Sequence, residues 1–140
     1  MKSLVMSLFS CLALLACASQ PQSADTDEKI ASTLEDMQLQ KTEKIERIRD
    51  YRVDSWRYID NSNLIIKAGL RDNYLVSLRV PCINLNGAFS IGFTSTTGSL
   101  DKFEDIIVRD SFGRAERCPI ADIVKLEPIP DDRAEPVSGG

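Results

Sequence analysis

Tyr74-Leu75-Val76-Ser77-Leu78-Arg79-Val80-Pro81-Cys82 is the most regular strand pattern in the chain. Tyr74, Val76, Leu78, Val80 and Cys82 fall on one face of a period-two strand, and Leu75, Ser77, Arg79 and Pro81 fall on the other. The cysteine is in phase with the apolar set, so its sulfur is expected in the core.

The flanks read the same way. From Val53 onward Trp56 and Tyr58 share a face, with Arg57 and Ile59 opposite, before the turn cluster Asp60-Asn61-Ser62-Asn63 and a second strand, Leu64 to Ala68. Leu70-Arg71-Asp72-Asn73 turns the chain into the stretch quoted above. Beyond it Asn86-Gly87 is a turn signal, and Phe89, Ile91 and Phe93 alternate with Ser90, Gly92 and Thr94 within a strand from Ala88 to Thr96. Thr97-Gly98-Ser99, a strand Phe103 to Val108, the turn Asp110-Ser111-Phe112-Gly113 and a strand Arg114 to Ile120 follow, with Ile123, Val124 and Leu126 closing the domain. With closely spaced turns and no helix between strands, residues 51–127 are expected to be mainly β, a small antiparallel barrel or rolled sheet of about six strands.

Upstream, Asp25 and Glu28 resemble a capping box, and no Gly or Pro occurs up to Asp50. Ile30, Leu34 and Met37 form a helical stripe, which Lys41 interrupts before Ile45 and Ile48 resume it. Residues 25–50 therefore predict one amphipathic helix, or two short ones, packing by the second half, with a coiled-coil dimer as the alternative. Downstream, residues 128–140, with Pro128, Pro130, Asp131, Asp132, Pro136 and Gly139-Gly140, have too little apolar content for a core and are expected to be a disordered tail.

The first residues place the protein. Lys2 is followed by an apolar run from Leu4 to Ala16, shorter than the roughly 20 residues that a spanning helix needs and suited to a secretory signal. Leu14-Leu15-Ala16-Cys17 matches the bacterial lipobox, so residues 1–16 are expected to be removed and Cys17 lipidated, with 17–24 as a tether; an ordinary signal cleaved nearby is the alternative. Acyl chains contribute about 0.8 kcal/mol per buried methylene, which suffices for stable anchoring when two are present. Ala18, where Asp would favour inner-membrane retention, points to the outer membrane.

Loss of Lys2 takes one from 17 basic residues and none from 21 acidic ones, moving the net charge from −4 to −5. An acidic chain without a basic run argues against nucleic acid and against anionic headgroups as electrostatic partners. Of four cysteines, Cys11 leaves with the signal and Cys17 takes lipid. Cys82 and Cys118 remain, and in an oxidising compartment they are expected to pair as a structural disulfide worth about 4 kcal/mol of loop-closure entropy. A redox role is the rival reading, although the Cys-x-x-Cys spacing that usually marks it does not occur.

Catalytic signals are sparse. The chain has no histidine, which removes Ser-His-Asp and Cys-His schemes and the commonest general base. Ser99-Leu100-Asp101-Lys102 fits S-x-x-K, and Lys67-Ala68-Gly69 resembles K-T-G, but the penicillin-recognising enzymes that use them need a helical domain for which there is no room. Asp60, Asn61, Asn63, Asp72 and Asn73 could offer oxygens to calcium, but turn chemistry explains them. No pair among Asp54, Asp60, Asp105 and Asp110 is singled out for glycoside hydrolysis. Trp56, Tyr58, Tyr74, Phe89 and Phe93 could floor a ligand groove but are needed as core. Arg109, Arg114 and Arg117, interleaved with Asp110 and Glu116, read as a self-compensated face. No cofactor or metal is expected.

The lipobox, Trp56, Tyr74-Leu75 with Leu78 and Cys82, Ile91-Gly92-Phe93, and Cys118-Pro119-Ile120 with Ile123 and Leu126 together resemble domain-of-unknown-function family 6491, small exported proteins of proteobacteria. The resemblance spans roughly 50–127 and implies a periplasmic or outer-membrane lipoprotein. The expected function is a non-enzymatic, lipid-anchored binding or accessory domain that meets another envelope component. A carboxylate-dependent hydrolase of envelope polymers and a small-ligand carrier are the alternatives.

Overall fold

The computed structural model describes residues 22–49 and 52–131. Helix α1 (Gln22–Asp36) leads into strands β1 (Leu39–Ile45), β2 (Arg47–Arg49), β3 (Val53–Asp60), β4 (Asn63–Ala68) and β5 (Asp72–Leu78). A 3-10 turn (Ile83–Gly87) precedes β6 (Ser90–Phe93), β7 (Ser99–Asp101), β8 (Asp105–Arg109) and β9 (Ala115–Pro128). Six strands run in the order β3-β4-β5-β9-β8-β6, with every neighbouring pair antiparallel, and roll into a half-barrel. This is the mainly β, helix-preceded and disulfide-stapled architecture that the residue pattern predicts.

Strand β9 organises the sheet. Its 14 residues pair with β5 from Ile120 to Leu126, with β8 from Ala115 to Pro119, and with β1 from Ile123 to Pro128. Sequence reading divided this stretch into a strand and a closing segment. Pro119 does not end the strand, because its carbonyl still accepts the Arg79 N–H at 2.9 Å and only a donor is lost at proline.

The helix expected over 25–50 is corrected at both ends. It begins at Gln22, so residues 22–24 are helical and not tether, and it ends at Asp36, where Gln38 takes a left-handed φ of 54°. Lys41-Thr42-Glu43-Lys44, which breaks the helical apolar stripe, lies instead in β1, where the main chain gains a partner along the edge of β9. A polar segment has only a weak intrinsic preference, and a tertiary ladder readily overrides it. Arg47 meets Asp101 at 3.0 Å and Glu46 meets Lys102 at 2.8 Å across the β2–β7 ribbon.

Two apolar layers sit on opposite faces of the sheet. Leu64, Ile66, Tyr74, Val76, Leu78, Ile106, Val108, Ile120 and Ile123 belong to the inner core, closed by Ile48 and Leu100 from the β2–β7 ribbon. Outside, Ile30 and Leu34 of α1 pack on Ile59, Ile65, Leu75 and Leu126. The helix therefore packs by the stripe read as its first half. β4 is buried on both faces, which explains why Leu64-Ile65-Ile66 is a continuous apolar run and not an alternation.

Strand bounds shift where side chains leave the core. The expected strand through Cys82 stops at Leu78, and Val80 is exposed. After the Arg79 bond to Pro119 the chain detaches, Pro81 has no N–H to offer, and Cys82 re-enters the core through its N–H to Asn61 O at 2.7 Å. The strand expected over Ala88 to Thr96 shortens to β6, leaving Phe89 exposed, and the one expected from Phe103 begins at Asp105. At the other end β9 runs to Pro128, and the Ile129 N–H reaches Gln38 O at 2.9 Å, so the start of the expected tail belongs to the fold. Residues 132–140, the expected signal segment 1–16 and the expected lipidation site Cys17 lie outside the described residues. Among the described residues no helix is long and apolar enough to cross a membrane.

Candidate functional site

Cys82 and Cys118 are joined, with Cα atoms 5.7 Å apart and both residues buried. The bond ties the 3-10 turn to β9 beside the inner core. Glu116, two residues before Cys118, adds a second tie: its carboxylate accepts the N–H groups of Ile83 at 3.2 Å and Asn84 at 2.9 Å. Cys82, at the N-cap, makes no side-chain capping bond, so the turn is capped from a distant strand. Cys82, Glu116 and Cys118 place possible ligand atoms within 4.8 Å of one another. The sulfurs are committed to each other and the carboxylate to two backbone donors, so the cluster reads as a structural clamp and not a metal centre. Replacing Glu116 by Ala is expected to lower unfolding free energy by about 1–3 kcal/mol, the range for a lost charge-assisted cap. Urea denaturation of oxidised protein checks this; a change within error would remove Glu116 from the clamp.

The other residues singled out in the sequence separate. Asp60 accepts from Ser62 N and Asn63 Nδ2, and Asn63 Oδ1 accepts from Ser77 Oγ at 2.7 Å. These side chains close their own turn, as Asx residues do. Ser99 sits in β7 and Lys102 in the turn after it, where its ammonium meets Glu46 and lies 5.2 Å from the Phe103 ring. The S-x-x-K spacing therefore spans a strand end, without the helical turn that would bring lysine to serine. Arg114 pairs with Asp110 at 2.7 Å and Arg117 with Asp105 at 3.8 Å, in keeping with a compensated face. Burial pushes the Asp110 carboxyl up, but hydrogen bonds from the Arg114 side chain and from the Arg114 and Phe112 N–H groups outweigh it and hold it below its ordinary value. The hairpin tip thus stays pinned until the pH falls through that lowered pKa. Of the five aromatic residues considered as a groove floor, Tyr74 is buried, Trp56, Tyr58 and Phe93 pack against the inner core, and Phe89 stands in solvent.

What the sequence did not reveal is a groove at the end of the sheet where α1 finishes. Two adjoining depressions, about 680 Å³ and 280 Å³, share Met37, Lys67 and Asn73. Trp56 and Arg57 line one, and Leu70, Arg71 and Lys125 line the other. A hydrogen bond from the Lys125 ammonium to Glu127 raises its pKa and keeps it charged. The rim carries Lys67, Arg71 and Lys125 but also Asp72 and Glu127, the last paired with Lys125, and with the apolar Met37, Leu39, Leu70 and Leu126 this suits an amphipathic ligand or peptide segment. No short motif announces this, because the lining comes from the turn after α1, five strands and the β4–β5 turn.

A family model matches residues 1–135, nearly the whole chain. The chain belongs to the family of unknown function DUF6491. The match includes α1, β1 and β2, beyond the 50–127 segment on which the resemblance was read, so these elements are part of the DUF6491 unit. No curated protein and no solved structure matches the chain.

Proposed function

We propose that this DUF6491 chain is a lipid-anchored accessory domain of the bacterial envelope, facing the periplasm from the outer membrane and holding another envelope component in the groove beside Leu70. The observation that carries this reading is Leu14-Leu15-Ala16-Cys17 at the end of an apolar run, directly upstream of a domain stapled by Cys82–Cys118. A lipobox and a disulfide are demands of the same exported compartment. The groove supports a binding role: Leu70 is exposed on its rim, and Lys67 and Arg71 bring cationic side chains to it.

Two measurements test the two halves. With Cys17→Ser, incorporation of labelled palmitate should vanish and the protein should move to the soluble periplasmic fraction. Unchanged membrane retention would sink the anchor. A photoreactive amino acid at Leu70 should crosslink a discrete partner in living cells, and Lys67→Glu with Arg71→Glu should abolish that product. A crosslink pattern untouched by the charge reversal would rule out the groove as the contact.

A further inference from the structure

Val80 (53%), Ile83 (77%), Phe89 (80%) and Phe112 (84%) are large exposed apolar side chains, and the antiparallel order and register of β5, β9, β8 and β6 put the segments that carry them towards one end of the half-barrel. Their connections place them together. Cys82 N–H binds Asn61 O in the β3–β4 turn, Ile83 N–H binds Glu116 near the start of β9, and Phe89 N–H binds Arg109 O at the end of β8. Phe112 caps the β8–β9 hairpin, where Gly113 at φ 80° makes the turn and the Arg114 guanidinium lies 5.7 Å from the Phe112 ring.

The first turn of α1 is at this same end. Asp25, Thr26 and Lys29 line a shallow depression with Tyr58, Asp60, Asn61, Ser62 and Pro81. From there α1 runs away for 15 residues, about 22 Å at 1.5 Å each, to Met37 and the Leu70 groove. Cys17 precedes Gln22 by five peptide steps, at most about 18 Å of chain. A lipid on Cys17 is therefore tethered on the side of the β3–β4 turn and Pro81, and reaches the Leu70 end only by passing back along the helix.

We propose that the end formed by the β3–β4 turn, the Val80–Phe89 connection and the β8–β9 hairpin rests on the lipid bilayer, with Ile83, Phe89 and Phe112 entering its interface. This rests on the lipid-anchor reading of Cys17. Charges near these side chains are of both signs, Arg79, Arg109 and Arg114 beside Asp60, Asp110 and Glu116, so the contact is apolar insertion and not attraction to anionic headgroups. The arginine stems can lie along the acyl boundary while their heads stay in water. One lipid and a few shallow side chains together fix orientation, which a flexible tether alone does not. The groove then points away from the membrane, towards partners in the periplasm.

The test uses full-length lipidated protein reconstituted into vesicles of phosphatidylethanolamine and phosphatidylglycerol with brominated acyl chains. Phe89→Cys, Phe112→Cys and Leu70→Cys each carry a bimane label; all three sites are exposed, and a non-reducing gel verifies the native disulfide. Labels at 89 and 112 should lose most of their emission to the bromolipid, while the label at 70 should keep its aqueous intensity. Quenching at 70 equal to that at 112, or none at any site, overturns the orientation. Shielding of 89 and 112 that arises only when envelope protein is added also overturns it, in favour of a protein partner. Failure of the anchor itself is separate: the protein would then not float with the vesicles at all.

Discussion

Replacing Cys82 and Cys118 together by Ala should lower the unfolding free energy by about 4 kcal/mol, from the loop-closure entropy of the span they enclose. The two residues are 36 apart in sequence. Domains of this size have about 5–15 kcal/mol of net stability, so the double variant should be near the edge of folding at growth temperature. The effect concentrates where the chain leaves the sheet. After the Arg79 bond to Pro119, the connection from Val80 to Phe89 is held by the disulfide, the Cys82 bond to Asn61, the Glu116 cap, the Phe89 bond to Arg109 and the buried Leu85 side chain. Without the sulfur bridge, only the Leu85 anchor and polar contacts worth about 1–3 kcal/mol each remain. Urea denaturation of oxidised wild type, reduced wild type and the double variant measures the difference. Reduced wild type and the variant should agree, and a loss below about 1 kcal/mol would show that the bridge does not constrain the unfolded chain.

The fold was legible where a residue's neighbours in sequence are also its determinants. Tyr74, Val76 and Leu78 alternate because β5 has one face in the inner core, and Cys118 was readable as the partner of Cys82 because the expected processing leaves these two thiols alone. The polar strand β1 was not legible. It has neither Gly nor Pro nor an apolar alternation to separate it from the helix before it, and only the edge of β9, reached through a distant part of the chain, makes it a strand. Phe89 shows the opposite failure: it is in phase with Ile91 and Phe93, but the chain enters the sheet only at Ser90, so the phase has no meaning one residue earlier. The Glu116 cap had no local signal, since its acceptor and donors are 32 and 33 residues apart. The groove was invisible for the same reason, being assembled from elements that each look ordinary alone.

The two-layer core makes a sharper demand on a single strand. Ile65 and Ile66 are adjacent in β4 and both buried, yet Ile66 faces Trp56 and Tyr74 in the inner core while Ile65 faces Leu75 and the helix residues Ile30 and Leu34. Ile→Ala at either site should cost about 2–5 kcal/mol, the range for deleting buried methylenes and leaving a cavity. The distribution of the loss should differ. Ile66→Ala weakens the layer that β4, β5, β8 and β9 share, so amide exchange should accelerate throughout the sheet. Ile65→Ala weakens the seat of α1, whose 15 residues are marginal as an isolated helix, so protection should fall first in α1 while β8 and β9 retain theirs. Hydrogen exchange read by mass spectrometry separates these outcomes. Equal loss of protection in α1 from both variants would mean that helix and sheet unfold as one unit and that the outer layer has no stability of its own.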